Sequence, residues 1–292
     1  MIIPGINALV SSLPEALGSY APTIHEIEVA LLSPQCSLSS VAAAIEKDPD
    51  FTARLLRLAN SGFYGFPHRV ATVTEALSLI GILQVHGLVV STSIVERFAG
   101  VDADFVDMRE FWRHSLACGI AARDIAQLRK MRDPDKYFVA GLLHDVGRLA
   151  LLSCAPRITR LVLDRQKVSG SSLLAAEKEV LGYDHADIGG VLMKHWGFPP
   201  RLVDAVADHH RPLGSLGSKE NASVVHVADH LVNAMRLGTS GEKKVPRLVP
   251  GAWEALEFEM DAVQRLVVGI DSQIDAVEGA FFLREDEPIS HA

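Results

Sequence analysis

His144 and Asp145 stand side by side in "GLLHDVGRLALL" (Gly141 to Leu152), a run that otherwise reads as a buried helix. A carboxylate taken into a dry core costs several kcal/mol unless a partner neutralises it. The pair is therefore exposed, or mutually paired, or held by a metal ion. Helical spacing puts Asp145 on one face with Phe138, Leu142, Leu149 and Leu152, so it should point inward. His144 lies about 100° round the same helix, and both side chains would reach an ion between their directions.

Further imidazoles and one more acid fall on similar faces. His114 aligns with Cys118, Ala121 and Ile125; His185 with Ile188, Gly189 and Leu192; Asp229 with Val225 and Val232. In "FPPRLVDAVADHHRP", His209 aligns with Leu202, Ala205 and Val206, and His210 with Val203 and Val206. A single histidine on an apolar face is ordinarily a hydrogen-bonded core residue. A single inward Asp ordinarily caps a helix or pairs with an Arg, and Arg123 and Arg148 are available. Together, however, His114, His144, His185, His209, His210, Asp145 and Asp229 would be mutually costly without a shared cation. Imidazole with carboxylate suits Fe, Mn, Zn or Ni rather than Ca. Seven candidates exceed what one ion needs, so a site for two metals is expected.

The elements that must position them are helices. "TIHE" (Thr23 to Glu26) and "TVTE" (Thr72 to Glu75) fit the capping box, and "DPDFTARLLRLANSGFYG" opens with an Asp cap and Pro49. "DPDKYFVAGLLHDVGRLALL" repeats that opening with Asp133 and Pro134. Alternating runs between turn dipeptides are scarce, which makes this an all-α chain with short connections. A subdivision falls near Phe98 to Asp107, loops near Arg211 to Asn221 and Leu237 to Ala252, and a frayed tail after Arg284.

Composition excludes several function classes. The 292 residues are 48% apolar and 22% charged, with a formal net charge of −8 and no long basic run. Up to Gly100 the only cations are Lys47, Arg54, Arg57, Arg69 and Arg97, too few for a nucleic-acid footprint. The most apolar run, Leu79 to Val90, is interrupted by Gln84 and His86 and is too short to cross a bilayer. Cys36, Cys118 and Cys154 form no CxxC, and the N-terminus lacks a charged start, so a reducing cytoplasm is expected.

His114, the "HD" of His144 and Asp145, and Asp229 resemble the ligand series of the HD phosphohydrolase superfamily. His185 and the His209–His210 pair resemble further ligands of its HD-GYP branch, which cleaves cyclic di-GMP. Across residues 48 to 212 the resemblance narrows. "DPDFTARLLRLANSGFYG", "VATVTEALSLIGI", "FWRHSLACGIAA", "VAGLLHDVGRLALL", "EKEVLGYDHADIGGVLMKHWGFP" and "ADHHRP" are similar, in order and spacing, to the blocks of the HDOD domain, a family of bacterial signalling modules. This implies an all-helical fold in which an N-terminal bundle (residues 1–100) packs on an HD-like half (101–215). A C-terminal extension (216–292) then completes the HD core with Asp229.

Two departures bear on activity. Arg148 stands where HD-GYP enzymes carry Lys, and a guanidinium is larger and shaped for bidentate pairing. The "GYP" signature is replaced by "HHRPLGSLGSKE". Both argue against cyclic di-GMP hydrolysis. The resemblance therefore implies a non-catalytic regulator that retains a metal site, Fe or Mn favoured and Zn or Ni alternative, with output through a protein partner and with that partner or a nucleotide bound in the cleft between its halves. The alternative is a metal-dependent phosphohydrolase in which Arg148 stabilises developing charge.

Other conspicuous residues take plainer roles. Trp112, Trp196 and Trp253 read as core or interface anchors, and Asn60 to Gly65 as a helix stop that either packs or shapes the cleft. Glu177 reads as an exposed helical carboxylate rather than a partner for a ligating histidine. His195, His226 and His230 remain alternatives to the proposed ligands. The helices after Ala252 either pack on the core or mediate a homodimer.

Overall fold

A computed structural model of the chain describes residues 4–16, 26–27, 29–31, 33–98, 105–215 and 217–281. All regular structure among them is helical. Residues 23–25 of the expected Thr23–Glu26 capping box and the tail beyond Arg284 lie outside the described residues, as do residues 99–104 of the expected subdivision.

The N-terminal part comprises α1 (Ile6–Ala16), α2 (Leu38–Ile45), α3 (Pro49–Ala59), α4 (Val73–Ile80) and α5 (Ile82–Phe98). Its caps explain its boundaries. Ser37 closes a capping box with Ser40, Asp48 accepts from Phe51 N ahead of Pro49, and Thr72 accepts from Glu75 N. The Asn60–Gly65 stop is packed: Phe63 is buried, its ring centroid 4.9 Å from that of Phe138, and its carbonyl accepts from the buried Arg123 guanidinium at 2.8 Å.

The centre of the molecule is α6 (Met108–Leu128), buried along most of its length because small and apolar residues occupy nearly every face. Around it lie α7 (Asp135–Leu143), α8 (Val146–Cys154), α9 (Pro156–Ser169), α10 (Leu173–Leu181), α11 (His185–His195), α12 (Pro200–Ala207), α13 (Lys219–Met235), α14 (Pro250–Ala255) and α15 (Met260–Phe281). Helices α7, α13 and α15 pack directly on α6. Helix α15 also reaches α3, and α1 docks on α8 and α11. The last helix thus packs on the core and ties the N-terminal part to it, partly through Arg113 of α6, which pairs with Glu278 and, at 3.2 Å, with Asp275.

Among the described residues one helical stretch, Asp135–Cys154, is long and apolar enough to cross a membrane, and 89% of its apolar window is buried inside the protein; a pair bent by 110°, Val73–Ile80 with Ile82–Ser91, passes the same test only if taken together. Apolarity here is that of a core. Within Asp135–Cys154 the expected continuous helix is interrupted by a turn at His144 and Asp145, between α7 and α8. At its start, Asp133 does not cap: it adopts φ +54° and the helix begins after Pro134 with no side-chain cap.

Candidate metal centre

The interruption is what aims the "HD" pair. In an unbroken helix neighbouring side chains diverge by about 100°. The turn instead lets His144 Nε2 and Asp145 Oδ2 approach to 3.2 Å, facing the same space. Glycines permit the crossings that bring partners to them. A Cβ on Gly141 would lie 2.4 Å from the Cys118 carbonyl oxygen of α6, and one on Gly147 would lie 2.0 Å from the His185 carbonyl oxygen of α11. Only the absence of a side chain allows α7 to lie so close to α6, and α8 to the start of α11.

All the candidate ligands meet there. His114 Nε2 lies 3.2 Å from Asp229 Oδ1, and His144 Nε2 lies 3.5 Å from the same oxygen. Asp145 faces both ways: Oδ2 toward His144, and Oδ1 toward His185 Nε2 at 2.9 Å. His210 Nε2 is 2.9 Å from His185 Nε2, and the His209 ring stands 5.2 Å from that of His144 and 5.5 Å from that of His185. His114, His144, His185 and His209 are fully buried, with Asp145 and Asp229 nearly so; His210 alone is half-buried. Helix α12 ends at Ala207, so His209 and His210 sit on the turn beyond it rather than on the helix expected from their spacing. That turn lets adjacent residues converge.

Ring tautomers show why the cluster calls for a cation. The Gly141 carbonyl can only accept, so His144 Nδ1 carries the proton and donates to it at 2.7 Å. His209 Nδ1 donates to the Val206 carbonyl at 2.7 Å, and His185 Nδ1 donates to Glu177 Oε2 at 2.5 Å. Unless it takes up a second proton, each ring then aims a bare Nε2 into the common space. The Nε2 atoms of His144 and His209 and Oδ1 of Asp145 are buried without a hydrogen-bond partner. A lone pair on His185 and one on Asp145 do not rest 2.9 Å apart unless a proton or a metal ion lies between them. Donor atoms fall within 4.8 Å of one another in the sets His114, Cys118, His144 and Asp229; His185, His209 and His210; and His144, Asp145 and His209. This donor chemistry fits divalent transition-metal ions.

Electrostatics agree. Burial alone would raise the Asp145 carboxyl; the Arg148 guanidinium and the His144 and His185 rings overturn that and hold it well below the carboxylate range. Asp229 is likewise held well below, burial being outweighed by His114 and His144. Burial disfavours charge on His144, yet Asp145 and Asp229 lift its pKa to about 10; His185 rises to about 9 against burial and Arg148, through Glu177 and Asp145. The acids draw positive charge into the core.

The structure corrects the reading of Glu177 and places its neighbours. Glu177 is buried, not exposed: it accepts from both the backbone N (3.0 Å) and Nδ1 of His185 and lies 3.7 Å from Arg148. It shares a face with Leu173 and Leu181 at spacing four, a signal present in the sequence. Cys118 is fully buried with Sγ 3.6 Å from His114 Nε2, and burial together with Asp229 and Asp145 pushes its thiol well up. His226 ties the scaffold instead of facing the cluster, Nδ1 donating to the His209 carbonyl at 2.8 Å and Nε2 accepting from Val249 N at 2.9 Å. His230 bonds the Pro246 carbonyl at 2.9 Å, and His195 is exposed.

Arg148 is held through Nη1, while its buried Nε makes no hydrogen bond. Its Nη1 lies 3.3 Å from Asp145 Oδ2, donates to the Ser240 hydroxyl and, at 3.3 Å, to the Ser240 carbonyl. Glu242, from the same loop, accepts from Leu173 N at 2.7 Å and pins that loop over the guanidinium. The adjoining crevice, lined by Arg148, Glu177, Leu173 and Ser240 among others, has a volume of about 30 Å³.

Comparison with known proteins places this geometry. The sequence model of the HDOD domain matches residues 17–212. A crystal structure of an HDOD domain protein from Geobacter sulfurreducens superposes with a TM-score of 0.71 at 23% identity, covering 94% of this chain and 97% of that one. A candidate phosphohydrolase from Shewanella amazonensis SB2B gives 0.70 at 22% identity, with 94% and 98% covered. A candidate signal transduction protein from Marinobacter aquaeolei VT8 gives 0.68 at 19%, with 96% and 67% covered. An uncharacterized protein of Treponema pallidum (strain Nichols) is 24% identical over 187 residues, which span 63% of this chain but only 36% of that protein.

Proposed function

This chain belongs to the HDOD domain family, and from that we propose that it is a bacterial signalling module which keeps an HD-type metal centre without hydrolytic activity and acts through a protein partner. The observation that carries the reading is the commitment of Arg148. A group that stabilises a transferring phosphate must touch it. Here Arg148, the cation beside Asp145, is 6% exposed, ion-paired with Asp145 and Glu177 and hydrogen-bonded to Ser240, next to a crevice with room for one or two waters. A phosphate ester does not fit that crevice.

His114, His144, Asp145, His185, His209, His210 and Asp229 would hold the ions, with Glu177 fixing the His185 ring by taking its Nδ1 proton. Bound divalent ions would supply charge neutralisation and, given access, Lewis acidity. In this reading they serve as a clamp: the ligands come from α6, the α7–α8 turn, α11, the turn after α12, and α13. Fe or Mn remains the expected occupant, with Zn or Ni as alternatives.

A second cavity supports recognition. It has a volume of about 420 Å³, lies between the start of α5 and helices α7 and α12, and is lined by Leu83, Val139, Phe198 and Leu202 with Lys136 and Arg201. Asp133 also lines it, and apolar walls with two cations against one acid suit an anion with an apolar body, either an acidic segment of a partner or a nucleotide.

One observation favours the alternative, a metal-dependent phosphohydrolase: Asp145 stands between two ligand groups, the layout of paired-metal phosphoryl chemistry. Elemental analysis of protein prepared without an affinity-tag metal column, followed by a phosphatase and cyclic-dinucleotide screen with added Mn or Fe, separates the two. Bound metal without turnover is expected. Turnover that disappears in Asp145→Asn would establish the hydrolase instead.

A further inference from the structure

The two ligand groups of the centre are not alike, and the difference lies at Cys118. It follows His114 by one turn of α6, so both project from the same face. Its Sγ lies 3.6 Å from His114 Nε2, and the donor atoms of His114, Cys118, His144 and Asp229 all fall within 4.8 Å of one another. A cysteine buried among hydrocarbon neighbours is only a small apolar residue. This one faces an imidazole in a cluster where His144, fully buried, aims an Nε2 that has no hydrogen-bond partner.

The separations match one coordination geometry. With Zn–N and Zn–O bonds of about 2.0–2.1 Å and Zn–S of about 2.3 Å, the edges of a tetrahedron are about 3.3–3.4 Å between N and O and about 3.6 Å between N and S. The observed values are 3.2 and 3.5 Å for Asp229 Oδ1 to His114 and His144, and 3.6 Å for Cys118 to His114. We infer that Cys118 is the fourth ligand of the ion held from α6, which sits in a closed tetrahedral set of His114, Cys118, His144 and Asp229. Asp145 spans the two groups, its Oδ2 3.2 Å from His144 Nε2 and its Oδ1 2.9 Å from His185 Nε2, where it meets the histidine group of His185, His209 and His210.

The inference rests on the metal centre proposed above and sharpens it. Four protein ligands leave no open position, which is the pattern of structural rather than catalytic sites. A thiolate also shifts preference away from Mn toward softer borderline ions, Zn, Fe(II) or Co(II). The ion on the α6 side would therefore differ in kind from one held by the histidine group.

Cobalt reads the ligand directly. Metal-free full-length protein titrated with Co(II) should develop the strong visible bands of tetrahedral cobalt together with a near-ultraviolet thiolate-to-metal charge-transfer band. Cys118→Ser should lose the charge-transfer band and bind Zn at least about tenfold more weakly, while still taking up cobalt. Should that variant fail to fold, the double variant Cys36→Ser/Cys154→Ser decides the matter, because it should keep the band at full strength. Cobalt taken up by wild-type protein without a charge-transfer band, or a band that survives Cys118→Ser, overturns the role of Cys118 and leaves the metal centre standing. Folded protein that takes up no cobalt, zinc, iron or manganese overturns both.

Discussion

A buried ionisable side chain without a partner is a stability liability, and His86 on α5 is one. It is 4% exposed, its ring packs 5.1 Å from that of Phe198, and its Nε2 has no hydrogen-bond partner. Burial pushes its pKa down to about 4. The unfolded chain binds the proton near pH 6.5, so between these values the unfolded state holds more protons than the folded one. Stability at His86 is therefore intact above pH 6.5 and falls as pH drops toward 4, by up to about 3 kcal/mol. Urea unfolding of His86→Leu, compared with wild type across that range, should show a shallower acid decline; an unchanged slope would assign the acid sensitivity elsewhere. Glu177 illustrates the opposite case, a buried acid made tolerable by His185 and Arg148.

Helix crossings set the site at the next scale. Gly147 is the residue over which α8 meets the first turn of α11, and α11 begins at His185 because Asp184 caps it by accepting from Asp187 N. A methyl group at Gly147 would stand 2.0 Å from the His185 carbonyl oxygen, so the helices must part. Parting moves Asp145 away from His185 while leaving the His114–Asp229 contact on α6 and α13 in place. Gly147→Ala should therefore cost about 2–3 kcal/mol by overpacking and should lower metal stoichiometry by the ion held near His185, measured by elemental analysis. Full occupancy in a stable Gly147→Ala protein would show that this crossing does not position the second ligand group.

For the molecule as a whole, the centre joins segments from residue 114 to residue 229 around charge that the core cannot otherwise bear. Metal bound only by the folded state raises stability by mass action, by about 2.7 kcal/mol at a free concentration a hundredfold above Kd. Chelated protein should melt several degrees lower than metal-loaded protein, and readdition should restore the difference in a concentration-dependent way. An identical melting curve with and without chelator would rule out the clamp.

The residues that meet in the cluster were legible in the sequence because each is a short-range fact: an imidazole or carboxylate recurring on an otherwise apolar helical face. The same local signals made the all-helical class and the helix starts at Asp48 and Thr72 readable. It failed where chain breaks served function, at the His144–Asp145 turn and beyond Ala207, since a periodic pattern cannot register that a helix stops in order to aim two neighbours at one point. Glu177 and Cys118 carried a local signal, their spacing to Leu173, Leu181 and His114, but their burial came from helices distant in the chain. Which donors share an ion, and whether Arg148 is free, depended on contacts such as Arg148 to Ser240 across 92 residues. Those are settled by how helices cross, a property of the packed molecule that no stretch of sequence contains alone.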